Sequence, residues 1–528
     1  MAKKDYKPLL FTTTVRNPER FKQYLYVLNK FVGCILDDTL ATKICAEAMR
    51  FGIYRPNKKS TAIKTKWESS SQGGFSDVML SDSEVKWLLQ NNPQNHKEAG
   101  FSKGWPSRFA TIFSSLKQYG FAFFKPGCKV EISEIGSLLL SNLVVEVNDE
   151  GYIEVKEGNP KNDHDVFLHA MVKYHRDNPF LRVLNKNIPL VLLLQVIKLL
   201  NADSKNSAPG ISRRELPLLI FWKDNNARAV YEMIMEIRDK YGYSPSPEVI
   251  QEYCIKKIMG GAFKKFDLES IVNEYPDEYI RKMRYTGLIS LRGGGRFIDI
   301  NSTESKKVEY ILQNYSKYLT FKSEFDYYKY VSTVDKNLLG IPEEPIDENR
   351  SEELLSKWIS EYPWAKVKEE LLKLSSRSNS TDPILKYLDK PIRLEFLVAI
   401  AVKSQRPNYS VRPNYVCDDE GLPTSTAGGN RGDIECYGKN NFLLEVTMSE
   451  GRVQAAMEGW PVKRHLEEFS KIRKNSTCIF VAPTVFSDTK DQFEWSYDRF
   501  NLSHSFYVLF IFLLMILLFF SYNFKIMR

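Results

Sequence analysis

The stretch Gly432-Asp433-Ile434-Glu435-Cys436-Tyr437-Gly438-Lys439-Asn440-Asn441-Phe442-Leu443-Leu444-Glu445-Val446-Thr447 reads as strand, turn and strand. Gly-Lys-Asn-Asn supplies the turn chemistry between two apolar-rich runs. A five-residue connection, Tyr437–Asn441, sets Asp433 directly opposite Glu445, where Cβ atoms lie roughly 5 Å apart. A four-residue connection would send the two side chains to opposite faces, because side chains alternate along a strand. Two carboxylates that close repel unless a divalent cation sits between them. The competing reading makes Asp433 a hairpin cap and Glu445 an edge-strand charge. Against it, Phe442, Leu443, Leu444 and Val446 flank Glu445 as they would on an interior strand.

Upstream, Pro391 to about Lys403 has helical character, with Glu395 set among Leu394, Phe396, Leu397, Val398, Ile400 and Val402. A carboxylate in so apolar a stretch needs a partner or a metal; the alternative is a solvated edge position paired with Arg393 or Lys403. A polar loop, Thr424–Arg431, leads from this helix region into the hairpin. Downstream, a helix from about Gly451 to Arg473 carries Glu458, Lys463, Arg464 and His465. Glu458 is placed to complete a metal shell, and Arg464 and His465 to meet a phosphate or position water. For His465 the alternative is a surface histidine beside Glu467 and Glu468. Cys478–Ala482 reads as a short buried strand. Helix, hairpin, helix and strand in this order resemble the αβββαβ-like core of the PD-(D/E)xK nucleases. In that motif an Asp and a Glu bind Mg²⁺, and a Lys two residues later helps activate water. Thr447 stands at the Lys position here; a bound cation lowers the pKa of its water without one.

The front of the chain carries a different form. Phe109, Ile112, Phe113 and Leu116 recur at helical spacing, with Pro106 suited to the first turn and Gly120 to the position just past the end. Phe121–Phe124, a Pro126-Gly127 turn and Lys129–Ile132 then read as a hairpin. Helix, two-stranded wing and following helix make a winged helix-turn-helix signature. From 101 to 130 the chain has Lys103, Arg108, Lys117, Lys125 and Lys129 and no acid. The form returns at 276–300, with a helix ending near Gly287, a strand at Leu288–Leu291, a loop Arg292-Gly-Gly-Gly-Arg296 and a strand at Phe297–Ile300. From Arg281 to Ile298 there are Arg281, Lys282, Arg284, Arg292 and Arg296, again without an acid. Such surfaces suit phosphates, and Arg suits guanine edges; an ordinary solvated basic face is the alternative. Residues 301–375 are polar and helical in pattern, and Ser375–Thr381 is a Ser/Asn-rich linker where the main boundary is expected.

The 528 residues suggest about three domains. Lys+Arg 74 against Asp+Glu 65 gives a net charge of +9, which permits a polyanionic partner without demanding one. The seven cysteines never form a CxxC, which argues against a disulfide framework and a structural zinc site and fits a reducing cytosol. No apolar segment follows the basic N-terminus, so no signal peptide is expected. Phe506–Phe520 is an unbroken apolar run near the C-terminus. As a helix it would span only ~22 Å against ~30 Å of bilayer hydrocarbon. Three readings stand: a tail anchor, a buried terminal element, and, as the favoured one, a tail unrelated to the rest of the gene product.

The blocks Ala427–Asp433, Glu445-Val-Thr447, Met457-Glu458 and Arg464-His465 resemble the catalytic domain of the AlwI-type restriction endonucleases, relatives of type IIS and nicking enzymes. The opening Phe11–Arg20 and the segment Tyr119-Gly-Phe to Ile135-Gly136 resemble that family too, so the likeness runs from about residue 8 to about 485. The family's chains continue with mixed polar sequence where this one turns apolar.

The resemblance implies an acidic site of Glu395, Asp433, Glu445 and Glu458 with His465 as a further catalytic residue, Mg²⁺ (Mn²⁺ as substitute) on Asp433, Glu445 and Glu458, and Thr447 in place of Lys as the relatives' own pattern. It implies double-stranded DNA as partner, read at a short asymmetric sequence and cut a few bases outside it, a transient dimer on DNA, and a cognate DNA methyltransferase. The expected DNA contacts are Arg108, Lys117, Lys125, Arg284, Arg292, Arg296 and Arg464. Strand-specific nicking and non-catalytic winged-helix binding are the rival functions. The expected fold is multidomain α+β. A DNA-recognition region, 1–300, holds winged-helix-type units at about 76–145 and 190–300. A helical linker, 301–380, leads to a PD-(D/E)xK-like α/β nuclease domain, 381–500, and the apolar tail, 501–528. A cytoplasmic location without membrane association is expected.

Overall fold

The computed structural model describes residues 4–11, 14–68, 74–261, 266–344, 346–428, 431–473, 476–500 and 505–510. The chain is mixed α and β and divides into two compact units, Met1–Glu343 and Glu344–Arg528. The break falls well before Ser375–Thr381. The region expected as a separate helical linker is shared out: residues 301–343 belong to the first unit and the rest to the second.

In the first unit, a helix at Trp105–Gln118 has its proline in the first turn, and Gly120 follows with φ +74°, a left-handed stop that glycine takes without a Cβ penalty. The hairpin after it is shorter than expected, with only Ala122↔Ile132 and Phe123↔Glu131 paired, and it leads into a helix at Glu134–Leu140. Phe11, Phe21, Tyr119 and Phe167 pack as an aromatic core beneath this helix, Phe11 and Tyr119 with ring centres 4.9 Å apart. The second helix–hairpin, Tyr275–Tyr285 followed by Ile289–Arg292 and Phe297–Ile300, gains a third strand, Ile211–Ser212, paired to Phe297 and Ile298.

The second unit begins with helices α1 (Glu348–Glu361) and α2 (Trp364–Ser375), which pack on α3 (Lys390–Gln405). Trp358 of α1 sets its ring edge against Phe396 of α3 at 5.6 Å. Then come β1 (Ser410–Pro413), β2 (Ile434–Tyr437), β3 (Phe442–Val446), α4 (Gly451–Ile472), β4 (Thr477–Ala482), α5 (Ser487–Phe500) and β5 (Ser505–Phe510). The five strands form one sheet in the order β5-β4-β3-β2-β1. Strands β1 to β3 are antiparallel neighbours, whereas β3, β4 and β5 run parallel. Parallel neighbours need a crossover, and α4 and α5 supply the two. Val462 and Leu466 of α4, Phe493 of α5 and Cys478, Phe480 and Ala482 of β4 form the core between helices and sheet.

The start of the apolar run, Phe506 to Phe510, is strand rather than helix, paired along its length with β4; the remainder, 511–528, lies outside the described residues. Among the described residues no helix is long and apolar enough to cross a membrane. Among the described residues no disulfide is formed.

Candidate functional site

The hairpin register is Ile434↔Leu444, Glu435↔Leu443 and Cys436↔Phe442. Continued by one residue it sets Asp433 opposite Glu445, on one face, as in the five-residue connection. β3 lies inside the sheet, so Glu445 is not an edge charge. It is 5 % exposed. Asp433 does act as a cap, since its Oδ2 accepts the Val446 N–H at 2.7 Å; that bond ties its carboxylate to the strand beside Glu445.

Gly432 is dictated by the same crowding. A Cβ there would stand 2.6 Å from Glu445 Oε1 and 2.4 Å from Leu443 Cδ1. Any side chain there would push the ends of Leu443 and Glu445 aside, and glycine leaves them in place.

Glu395, on α3, is 4 % exposed. Neither cation expected as its alternative partner takes it. Arg393 donates to Ser378 O, and Lys403 pairs with Glu352. Instead its Oε2 accepts the Ala427 N–H at 3.1 Å, from the polar loop before the hairpin. From the other side α4 brings His465, a buried residue whose Nδ1 lies 3.0 Å from Glu445 Oε1. Glu458, two turns earlier on α4, is half-buried.

The electrostatics bind the four carboxylates into one group. Burial pushes Glu395, Asp433 and Glu445 well above the usual carboxylate range. The charge of Asp433 adds to the rise of Glu395, those of Glu445 and Glu458 to that of Asp433, and those of Glu458 and Glu395 to that of Glu445. Glu458 is raised by burial as well, while hydrogen bonds from Thr447 and Ser449 and the nearby His465 pull it back. Like charges so close disfavour one another's ionisation. Among the described residues, no three His, Cys, Asp or Glu side chains form a ready-made metal centre.

Three residues of this site carried no signal in the sequence. Gln454 of α4 is wholly buried, donating from Nε2 to Ser449 O (2.8 Å) and Thr484 O (2.9 Å) and accepting Phe486 N–H at Oε1 (2.8 Å). Ser449, in the β3–α4 loop, donates its N–H to Thr447 Oγ1 at 3.0 Å. Gly432 was read only as the start of the hairpin stretch, because a close approach shows in coordinates and not in spacing.

The expected DNA contacts fall into three groups. Lys125, Arg296 and Arg464 are exposed, Lys125 within 3.6 Å of Glu324. Arg108, Lys117 and Arg292 are half-buried and committed inside the protein. Arg108 meets Tyr54 and His96, and Lys117 sits between the rings of Phe124 and Phe180. Arg292 is ion-paired with Asp299 at 2.7 Å and also donates to Ile300 O. Arg284, at 6 % exposed, corrects the expectation: it lies inside the unit and not on a basic outer face. The acids missing from 281–298 come from just outside that window, with Glu278 on Lys282, Asp277 on Arg281 and Asp299 on Arg292.

Comparison with known proteins gives the class of the whole chain as restriction endonucleases, enzymes that cleave DNA. Residues 117–361 and 347–503 match the AlwI restriction endonuclease family. The chain belongs to that family. No curated protein sequence matches it.

Three of the solved structures similar to it are also restriction enzymes. The small subunit of the heterodimeric restriction endonuclease R.BspD6I is 21% identical over 27% of this chain and 72% of its own, with a TM-score of 0.23. The BpuJ1 endonuclease binding domain, in complex with pyrene- and phenanthrene-modified DNA, is 13% identical over 59% and 90%, at 0.32. Restriction endonuclease FokI is 12% identical over 94% and 93%, at 0.21. The assignment rests on the family match, not on these.

Proposed function

We propose that the second unit is a PD-(D/E)xK-like nuclease using Mg²⁺, and that the first unit, through winged-helix-type elements, reads a short asymmetric duplex sequence a few bases from the cut. The observation that carries this is the gathering of Glu395, Asp433, Glu445 and Glu458, with Asp433 opposite Glu445 on the hairpin, all four raised by burial and the charge of Glu458 acting on Asp433 and Glu445. Four carboxylates gathered where they repel one another destabilise a protein unless the charge is used.

The donor set fits the ion. It is all carboxylate oxygen, the chemistry Mg²⁺ selects, and Mg²⁺ is commonly held by one or two carboxylates with water and substrate phosphate completing the shell. Asp433 and Glu445 would hold it, with Glu458 adding to the shell. When bound, the ion polarises a phosphate and makes water a competent nucleophile at neutral pH.

The chain's own part is to hold these oxygens still. Val446 N–H fixes Asp433, Ala427 N–H fixes Glu395, and His465 Nδ1 fixes Glu445. Hydrolysis would form one P–O bond to the water oxygen and break the P–O bond opposite it, the water losing a proton and the departing sugar oxygen gaining one. One such site cuts one strand, so double-strand cleavage calls for a transient second copy. A methyltransferase would protect host DNA. Of the basic side chains expected to touch DNA, Lys125, Arg296 and Arg464 are the exposed ones, where phosphates could reach them. The test is run-off sequencing of plasmid digested with Mg²⁺. A fixed sequence at a fixed offset supports the reading, on one strand or both. Intact plasmid, bound but uncut, would instead mean a non-catalytic binder.

A further inference from the structure

We infer that Asn414 is a positioning residue whose side-chain amide anchors the backbone of Gly432 and so aims the Asp433 carboxylate at Glu445. The inference rests on the nuclease reading above.

Gly432 creates the need. Leu443 and Glu445 crowd the place where its Cβ would stand, so the residue before Asp433 has no side chain to pack. Glycine also has the widest backbone freedom of any residue. A carboxylate carried just after such a joint keeps its aim only if the joint is tied by its own polar groups.

Asn414 ties it. It is the first residue past β1, and the register that pairs Pro413 with Ile434 sets it opposite Asp433. Its backbone N–H is donated to Asp433 O at 2.8 Å. Its side-chain Nδ2 donates to Gly432 O at 2.7 Å. Those two carbonyls belong to the peptide planes on either side of the Asp433 Cα, so one residue fixes both. From β3 the Val446 N–H holds the carboxylate itself. Asp433 is thus held at three points, two on its backbone and one on its side chain.

The residue type suits the task. An asparagine amide donates without bringing charge, whereas an aspartate of the same shape could only accept and would add a further negative charge beside the acids. The chain turns away directly afterwards. Tyr415 is buried, its ring 6.3 Å from that of Phe396, the neighbour of Glu395 on α3. The same segment runs on to Ala427, whose N–H holds Glu395. Asn414 therefore stands where the segment that touches Glu395 meets the strand that carries Asp433.

The test uses the full chain with Asn414→Leu, which keeps the size and removes the donor, and Asn414→Ala, alongside Asp433→Asn. Plasmid cleavage in Mg²⁺ gives kcat and KM, Tb³⁺ luminescence without DNA gives ion affinity, and calorimetry gives Tm. Both Asn414 variants keep the backbone N–H and lose only the bond to Gly432. Each is expected to lose roughly 10–100-fold in kcat and in Tb³⁺ affinity, with KM for DNA unchanged. Tm should fall by no more than about 4 °C, as for one hydrogen bond in a unit of this size.

Wild-type kcat and Tb³⁺ affinity in both variants, while Asp433→Asn is inactive, would overturn this inference and leave the nuclease reading standing. So would a loss of kcat that only tracks a lost folded fraction, since that marks a structural role. A wild-type chain that neither cuts nor binds Tb³⁺ would overturn both.

Discussion

Glu445 shows what a single position in this site must balance. It is surrounded by apolar side chains on an interior strand, touched by His465, and faces carboxylates on two sides. Its proton affinity is raised in the folded chain, so without a cation the folded state binds protons that the unfolded state releases. Stability from this source is present below the ordinary carboxylate range and is lost as pH rises through the raised one. Glu445→Gln keeps an oxygen for His465 and removes the charge. In chelator at neutral pH it should therefore raise Tm by roughly 2–4 °C, the shift about 1 kcal/mol gives in a unit of this size. The wild-type Tm should fall between acid and neutral pH more steeply than the variant's. Equal pH dependence, read by calorimetry, would count against the shared charge. Gly432→Ala should displace the Glu445 carboxylate, given the 2.6 Å approach, and cut the cleavage rate about 100-fold with circular dichroism unchanged.

The elements were legible wherever an apolar period was long enough. The hairpin, the α3 and α4 helices and the buried β4 strand follow from spacing, and the observed bounds differ by a few residues at most, whereas the hairpin register did not, since four- and five-residue connections both fitted the sequence. Pro461 lies inside α4 and has no N–H for the Met457 carbonyl, yet the helix runs on, because Val462, Leu466 and Phe469 bury one face after it. β1 was missed, since Ser-Val-Arg-Pro has no period to read. The fate of charged side chains was missed as well. Arg284 and Arg296 look alike in sequence, but one is inside and one outside. Arg296→Ala should lower the slope of log binding constant against log salt by about 0.9, one phosphate contact, as measured by fluorescence anisotropy. Arg284→Ala should instead lower the urea midpoint. Gln454→Ala should destabilise the second unit by about 2–4 kcal/mol, because it removes three hydrogen bonds made by a wholly buried side chain, each worth about 1 kcal/mol.

Across the whole chain, the family match spans both units, from residue 117 to 503. Composition alone would not have found it: a net charge of +9 over 528 residues marks no particular partner. The division at Glu343/Glu344 was illegible for a physical reason. The helices Glu348–Glu361 and Trp364–Ser375 are amphipathic and polar outside, like a linker, but their apolar faces are part of the core around α3. The central claim is that Asp433 and Glu445 act as a pair in DNA cleavage and not in DNA binding. Cleavage and binding of one plasmid by the wild type and Asp433→Asn, side by side in Mg²⁺, test it most directly. The account predicts site-specific cutting by the wild type and none by Asp433→Asn at equal DNA affinity; cutting by Asp433→Asn at the wild-type rate would contradict it.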